Sequence, residues 1–160
     1  MIARTYHRDG TLPEGDGWTF VFGSNLQGVH GAGAAKVAQS LFGARRGVGD
    51  GLTGCAYAIP TKAHWRADGL MLVEILGYVA RFIAHARDNP QQRFFVTRIG
   101  CGLAGHRDQD IAPMFRLAPV NCSLPDVWRP FIEPAAEPCR PVLEHPWRAE
   151  DCALPSSARA

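Results

Sequence analysis

The chain has 160 residues, 46% of them apolar and 20% charged, with a formal net charge of +2. That length fits one domain with a substantial core, and the small charge with dispersed arginines does not mark a nucleic-acid-binding surface. Five cysteines without a CxxC pair argue against a disulfide framework or a zinc knuckle, and the lack of a leader pattern or a membrane-length apolar run gives a cytoplasmic protein with no membrane partner as the expectation.

In chain order, Asp9-Gly10 and residues 13–17 predict an opening turn or hairpin. Trp18 to Ser24 reads as a buried strand, short, aromatic and β-branched. It breaks at Gly23-Ser24-Asn25, and a helix is expected from about Gly31 to Leu41, ended by Gly43. Arg45 to Gly51 is glycine-rich and expected to be a mobile loop. Cys55 to Thr61 reads as a short strand that Pro60 ends or places at an edge.

The clearest helix spans about Leu70 to Asp88. Leu72, Ile75, Leu76, Val79, Phe82 and Ile83 form its apolar stripe, with Glu74, Tyr78, Arg81, His85 and Asp88 opposite. A second strong strand runs from Arg93 to Ile99, then a short helix from Asp110 to Arg116 and a last strand near Val120 to Leu124. After Trp128 the chain is proline-rich and unpatterned. Alternating strands and helices predict an α/β sandwich with a mixed sheet.

Two loops follow strands and lead into helices: Gly23 to Gly33 and Gly100 to Asp108. A helix N-terminus reached through glycines is an anion site, because unpaired backbone N–H groups face the ligand and the missing side chains allow close approach. In open α/β sheets such loops lie outside the carboxyl ends of the strands, where ligands bind. If the two strands are neighbours, the loops clasp a pyrophosphate between them. Other nucleotide motifs fit poorly. Gly31-Ala-Gly33-Ala-Ala-Lys36 has lysine at the third position of GxGxxG, and no GK[ST] ending marks a P-loop.

At these residues the sequence resembles a macrodomain, the fold that binds ADP-ribose. Phe22-Gly-Ser-Asn25 with Gly28 to Ala35 is similar to the family's strand, asparagine and glycine-rich loop. Arg98-Ile-Gly-Cys-Gly-Leu103 is similar to the second loop of the terminal ADP-ribose glycohydrolases. The run from Phe20 to about Trp128, with Ala58-Ile-Pro-Thr-Lys62, Gly105 closing the second block and Asp110-Ile-Ala-Pro113, resembles macrodomain-like proteins of phages and bacteria.

The resemblance implies a three-layer α/β sandwich over residues 1–128, with 129–160 as a proline-rich extension. Its implied ligand is ADP-ribose or a related ADP-ribosyl nucleotide, free or carried on a macromolecule. Nucleic acid enters only as a modified substrate, and no cofactor or metal is implied. Asn25 would sit near the distal ribose with Gly31 and Gly33, beside Gly23 and Ser24. Gly100, Gly102, Leu103 and Gly105 would wrap the phosphates, together with Cys101 and Ala104 of the same loop.

Lys62 resembles the lysine with which those glycohydrolases attack the distal ribose, a task for the neutral amine that burial favours. They carry aspartate where this chain has Ala104, and Asp108 or Asp110 substitutes for it only if the loop folds back. The implied functions are therefore hydrolysis of an ADP-ribosyl linkage by Lys62 and Asp108, or non-catalytic binding of an ADP-ribose-derived signal. His30 is either a hydrogen-bonding group for phosphate or ribose or an exposed loop side chain. Arg98 points to the ligand or to a core carboxylate. Cys101 is a small residue at a strand end or, with His106, a thiolate–imidazole pair. Arg45 and Arg46 flank a loop that closes over an anion or stays solvated. Trp65, Phe115 and Trp128 are stacking or packing aromatics.

Overall fold

The computed structural model describes residues 4–133. Most of the proline-rich stretch lies outside the described residues. The chain forms β1 (Thr5–His7), β2 (Trp18–Asn25), α1 (Gly33–Leu41), β3 (Gly51–Thr53), β4 (Ala56–Lys62), α2 (Leu72–Asp88) and β5 (Arg93–Val96). After these come α3 (Asp108–Ile111) with a 3-10 turn (Ala112–Phe115), β6 (Cys122–Pro125) and α4 (Arg129–Ile132). No helix among the described residues is long and apolar enough to cross a membrane.

One six-stranded sheet runs in the order β1-β6-β5-β2-β4-β3. Every neighbouring pair is parallel except β3–β4, so the sheet is mixed. Its central strands are buried on both faces, which explains their continuous apolar character. Val21, Ile59, Phe94 and Val96 pack with Ile75, Val79 and Phe82 of α2 and with Ile111 and Phe115. Phe20, Phe22, Ala58 and Phe95 pack with Ala35 and Ala38 of α1. Each fully buried phenylalanine or isoleucine contributes about 1.5–3 kcal/mol of transfer free energy. Small alanines on α1 let it lie close to the sheet, bringing its N-terminus to the end of β2.

Two expectations, the α2 stripe and the loose 45–51 loop, are corrected, and two open alternatives are decided. The chain start is a turn at Asp9-Gly10 and not a hairpin: β1 pairs in parallel with β6, Thr5 opposite Ser123 and His7 opposite Pro125. A partner more than a hundred residues away leaves no local signature. On α2 the buried row is Ile75, Val79, Phe82, Ile83 and Ala86, while Leu72 and Leu76 are exposed. Leu76 sits roughly 80° around the helix from the centre of that row at 100° per residue. Phe115 and Trp128 are both fully buried core residues, not stacking platforms. The 45–51 loop is packed rather than loose. Gly49 is buried, and Asp50 takes an ion pair from Arg81 of α2 at 2.7 Å.

Pro60 occupies the edge-like position expected of it, because β3 pairs only with Ala56 to Ala58 and leaves that side of Pro60 without a strand. At the other end the packed chain continues to α4, where Ile132 joins the core.

Candidate functional site

β2, β4 and β5 are parallel neighbours, so their carboxyl ends open on one side of the sheet. The first glycine loop leaves β2 there. Asn25 closes it, donating from Nδ2 to the Val29 carbonyl at 2.8 Å and accepting the Val29 N–H at Oδ1 at 3.1 Å. Ser24 donates its hydroxyl to the Gly49 carbonyl. Gly28 has φ +64°, and a Cβ there would collide with Gly47 and Val48. A Cβ on Gly49 would collide with the carbonyl oxygen of Asn25. The glycines of the 45–51 loop therefore serve as a close-fitting backing for the first loop.

Beyond Gly31 the chain enters α1, whose N-cap Ala32 provides no side-chain cap and whose first turn has no acidic residue. Its leading N–H groups and the positive end of its dipole are left for an outside anion.

The second loop leaves β5 directly beside the first. A Cβ on Gly23 would stand 3.4 Å from the Gly100 amide nitrogen. Gly100 itself has φ +75°, the left-handed region that favours glycine. The loop is closed by Gly105 N–H to the Gly102 carbonyl and His106 N–H to the Gly100 carbonyl, both at 3.0 Å.

Side chains fix its base. Arg98 makes a two-pronged contact with Asp108, Nε to Oδ1 at 2.7 Å and Nη2 to Oδ2. Trp128 Nε1 donates to the same Oδ1 at 2.8 Å. A hydrogen-bonded guanidinium holds the Asp108 carboxyl down at about 2, and the same contact raises Arg98 above its usual range. Burial, with Asp108 adding to it, pushes the Cys101 thiol up to about 12, so it is no ready nucleophile.

Both loops line one cavity of about 620 Å3. Of the residues expected at a site, Gly23, Ser24, Asn25, Gly31, Gly33, Lys62, Arg98, Gly100, Gly102, Leu103 and Ala104 line it. His30, Cys101, Gly105 and Asp108 do not. His30 is 2% exposed, with Nε2 3.1 Å from the Arg45 carbonyl and its ring edge-on to Phe22. It is a packing residue beneath the loop. Asp108 faces Arg98 and Trp128, so the loop does not fold back to put its carboxylate where Ala104 stands. Arg45 and Arg46 are exposed and take no part in the lining.

Lys62 Nζ donates to the Trp65 and Leu103 carbonyls, each at 3.3 Å. It thereby ties the end of β4 to the second loop. Trp65 and Leu103, 53% and 73% exposed, rim the cavity at this end. Leu103 reaches across toward the first loop, its Cδ1 3.8 Å from where a Cβ on Gly33 would be.

Local sequence reasoning missed the opposite end. There His7, Asp9, Leu12, Phe20 and Phe95 complete the lining. Phe20 and Phe95 belong to strands that the sequence shows, but the only signal that brings His7, Asp9 and Leu12 to them is the β1–β6 pairing, which carries the 8–12 loop over β5. Among the described residues Asp9 is the single carboxylate in the lining, against the cations Lys62 and Arg98. Arg98 is already paired with Asp108 and stands 3.7 Å from Asp9, so it is Lys62 and the α1 N-terminus that favour an anion in the middle of the cavity. Among the described residues no group of three or more His, Cys, Asp or Glu side chains converges as a metal site.

This combination of sheet order, helices on both faces and paired loops defines a macrodomain-like α/β fold. The macrodomain of Mycobacterium tuberculosis DarG has a similar structure, with a TM-score of 0.53 and 20% identity, covering 76% of this chain and 96% of that one. At that identity the likeness establishes the fold alone. No family model matches the chain, and no curated protein does.

Proposed function

We propose that the cavity is a binding cleft for ADP-ribose or a related ADP-ribosyl nucleotide. The observation that carries this is the convergence of two glycine loops and an uncapped helix N-terminus on one cavity that also holds Lys62 and Arg98. A pyrophosphate suits the middle, where backbone N–H groups and positive charge meet. A purine suits the apolar end, with Phe20, Leu12 and Phe95 around it. Asp9, an acceptor there, pairs naturally with an exocyclic amine. That leaves the distal ribose between the Asn25 loop and Lys62. The likeness of Arg98 to Leu103 to the terminal glycohydrolases, and of the longer run to macrodomain-like proteins of phages and bacteria, supports the same ligand.

Non-catalytic binding is the form of this function that the site favours, because Ala104 brings no carboxylate and Asp108 is held elsewhere. Hydrolysis is the second reading, favoured by the position of Lys62. In it the free amine adds to the anomeric carbon and the glycosidic bond to the acceptor breaks. The acceptor leaves with the amine's proton, and water then releases ADP-ribose.

Calorimetric titration of the full chain with ADP-ribose tests binding: a saturable single-site isotherm supports the cleft, and a flat titration at millimolar ligand overturns it. Incubation with ADP-ribosylated protein or nucleic acid separates the two forms. Release of ADP-ribose that Lys62→Ala abolishes supports hydrolysis, and no release from the wild type leaves the binder.

A further inference from the structure

At the purine end of the cleft the His7 ring is part of the wall. His7, the last residue of β1, lays its ring on Phe95 with centroids 3.7 Å apart and planes 24° from parallel. Its Nδ1 is 2.9 Å from Ser123 Oγ on β6. Phe95 is fixed in turn by Phe20, stacked at 6.1 Å, and by Trp18, edge-on at 6.0 Å.

Behind His7 lies a second cavity of about 350 Å3. The two cavities share four residues, His7, Thr11, Leu12 and Phe95, which together form the wall between them. Phe95 belongs to the sheet and Thr11 and Leu12 to the covering loop. The His7 ring is thus the removable part of that wall. The rear compartment adds Trp18 and Pro13 to the shared Leu12 and Phe95. Its size falls within the range of small-molecule sites; this apolar side suits a flat apolar group, while Arg8, Glu14 and Ser123 make the rest of its wall polar.

We propose that His7 is a specificity-determining partition. It limits the cleft to nucleotides ending in an unsubstituted purine, and the compartment behind it is an aryl-accepting subsite that opens when the ring is removed. This rests on ADP-ribose occupying the cleft with its purine at the Asp9 end. His7 and Asp9 line the same end of the cleft, so a bulky substituent on an exocyclic amine paired with Asp9 has to be accommodated beside the imidazole. Of the four wall residues, the one removed in this reading is His7, whose ring lies flat on Phe95. Phenylalanine at position 7 would restore the partition by bulk alone, without the bond to Ser123.

The test is calorimetric titration of the wild type, His7→Ala and His7→Phe with ADP-ribose and with its N6-benzyl derivative. The wild type is expected to bind the benzyl derivative at least tenfold more weakly than ADP-ribose. In His7→Ala that preference should narrow or reverse by at least tenfold, and His7→Phe should keep the wild-type order. Equal wild-type affinity for the two ligands overturns the proposal, and this comparison does not depend on any variant folding. It is equally overturned if a folded His7→Ala, judged by its thermal transition, binds ADP-ribose yet still rejects the benzyl group. Failure of the wild type to bind either ligand removes the cleft assignment itself and this inference with it, which is distinct from binding without discrimination.

Discussion

The two loops that frame the cleft reach similar shapes by different physics. The first is set by backbone proximity: Gly28 and Gly49 let the 45–51 loop press directly on it, and Asn25 spends its amide on Val29. The second is set by side-chain electrostatics, with Arg98, Asp108 and Trp128 anchoring a loop whose glycines are mostly open to solvent. The first jaw is therefore intolerant of bulk and indifferent to charge. The second tolerates bulk at its tip and depends on one carboxylate.

The largest expected effect breaks the first jaw. Gly49→Ala drives a methyl into the Asn25 carbonyl, where neither partner is a flexible side chain, and costs about 3 kcal/mol. Thermal unfolding reads this as a drop in Tm, and a change under 0.5 kcal/mol would refute the close-packed backing. In the second jaw, Asp108→Asn loses the ion pair and leaves Arg98 with the more distant Asp9 at 3.7 Å. About 1–2 kcal/mol should follow, since a bidentate contact with a third donor exceeds an ordinary surface pair.

Acid distinguishes the jaws further. Asp108 is depressed from 3.8 to about 2 by its hydrogen bonds from Arg98, so its contribution is complete above pH 3.8 and fades as pH falls through 2. His7 acts over a higher window. Burial lowers it from 6.5 to about 4, so the unfolded chain binds the extra proton between those values and stability declines as pH falls from 6.5 to 4. Melts across pH 7 to 2 should show two stages of loss, with the lower stage missing in Asp108→Asn and the upper missing in His7→Phe. The smallest effect is at Gly31, where a Cβ meets nothing within 4 Å and φ is not positive. Gly31→Ala should change stability by less than about 0.5 kcal/mol, and a loss comparable to that of Gly49→Ala would erase the contrast within the first loop.

Much of this was legible in the residues. The strands Trp18 to Asn25 and Arg93 to Val96 announce themselves by apolar runs, and Ile75 to Ile83 by helical spacing, because those patterns are local consequences of burial. The pairing of the two glycine loops followed from one rule of α/β topology. What stayed hidden depends on distance along the chain. The glycines at 47 and 49 look like a flexible loop until Gly28 and Asn25 are placed against them. His7 and Asp9 look like an unremarkable start until β6 draws β1 alongside it. Arg98 could not be assigned by strand alternation, because it lies beyond the end of β5 and turns both to the cavity and to Asp108.

Nuclear magnetic resonance titration tests the central claim most directly, by following the backbone amides of Gly31 to Ala34 and Gly100 to Leu103 as ADP-ribose is added to the full chain. Both sets should shift together along one saturation curve, with the exposed N-terminal turn of α2 unmoved. Shifts confined to one loop, or none at millimolar ligand, would contradict a cleft built from both jaws.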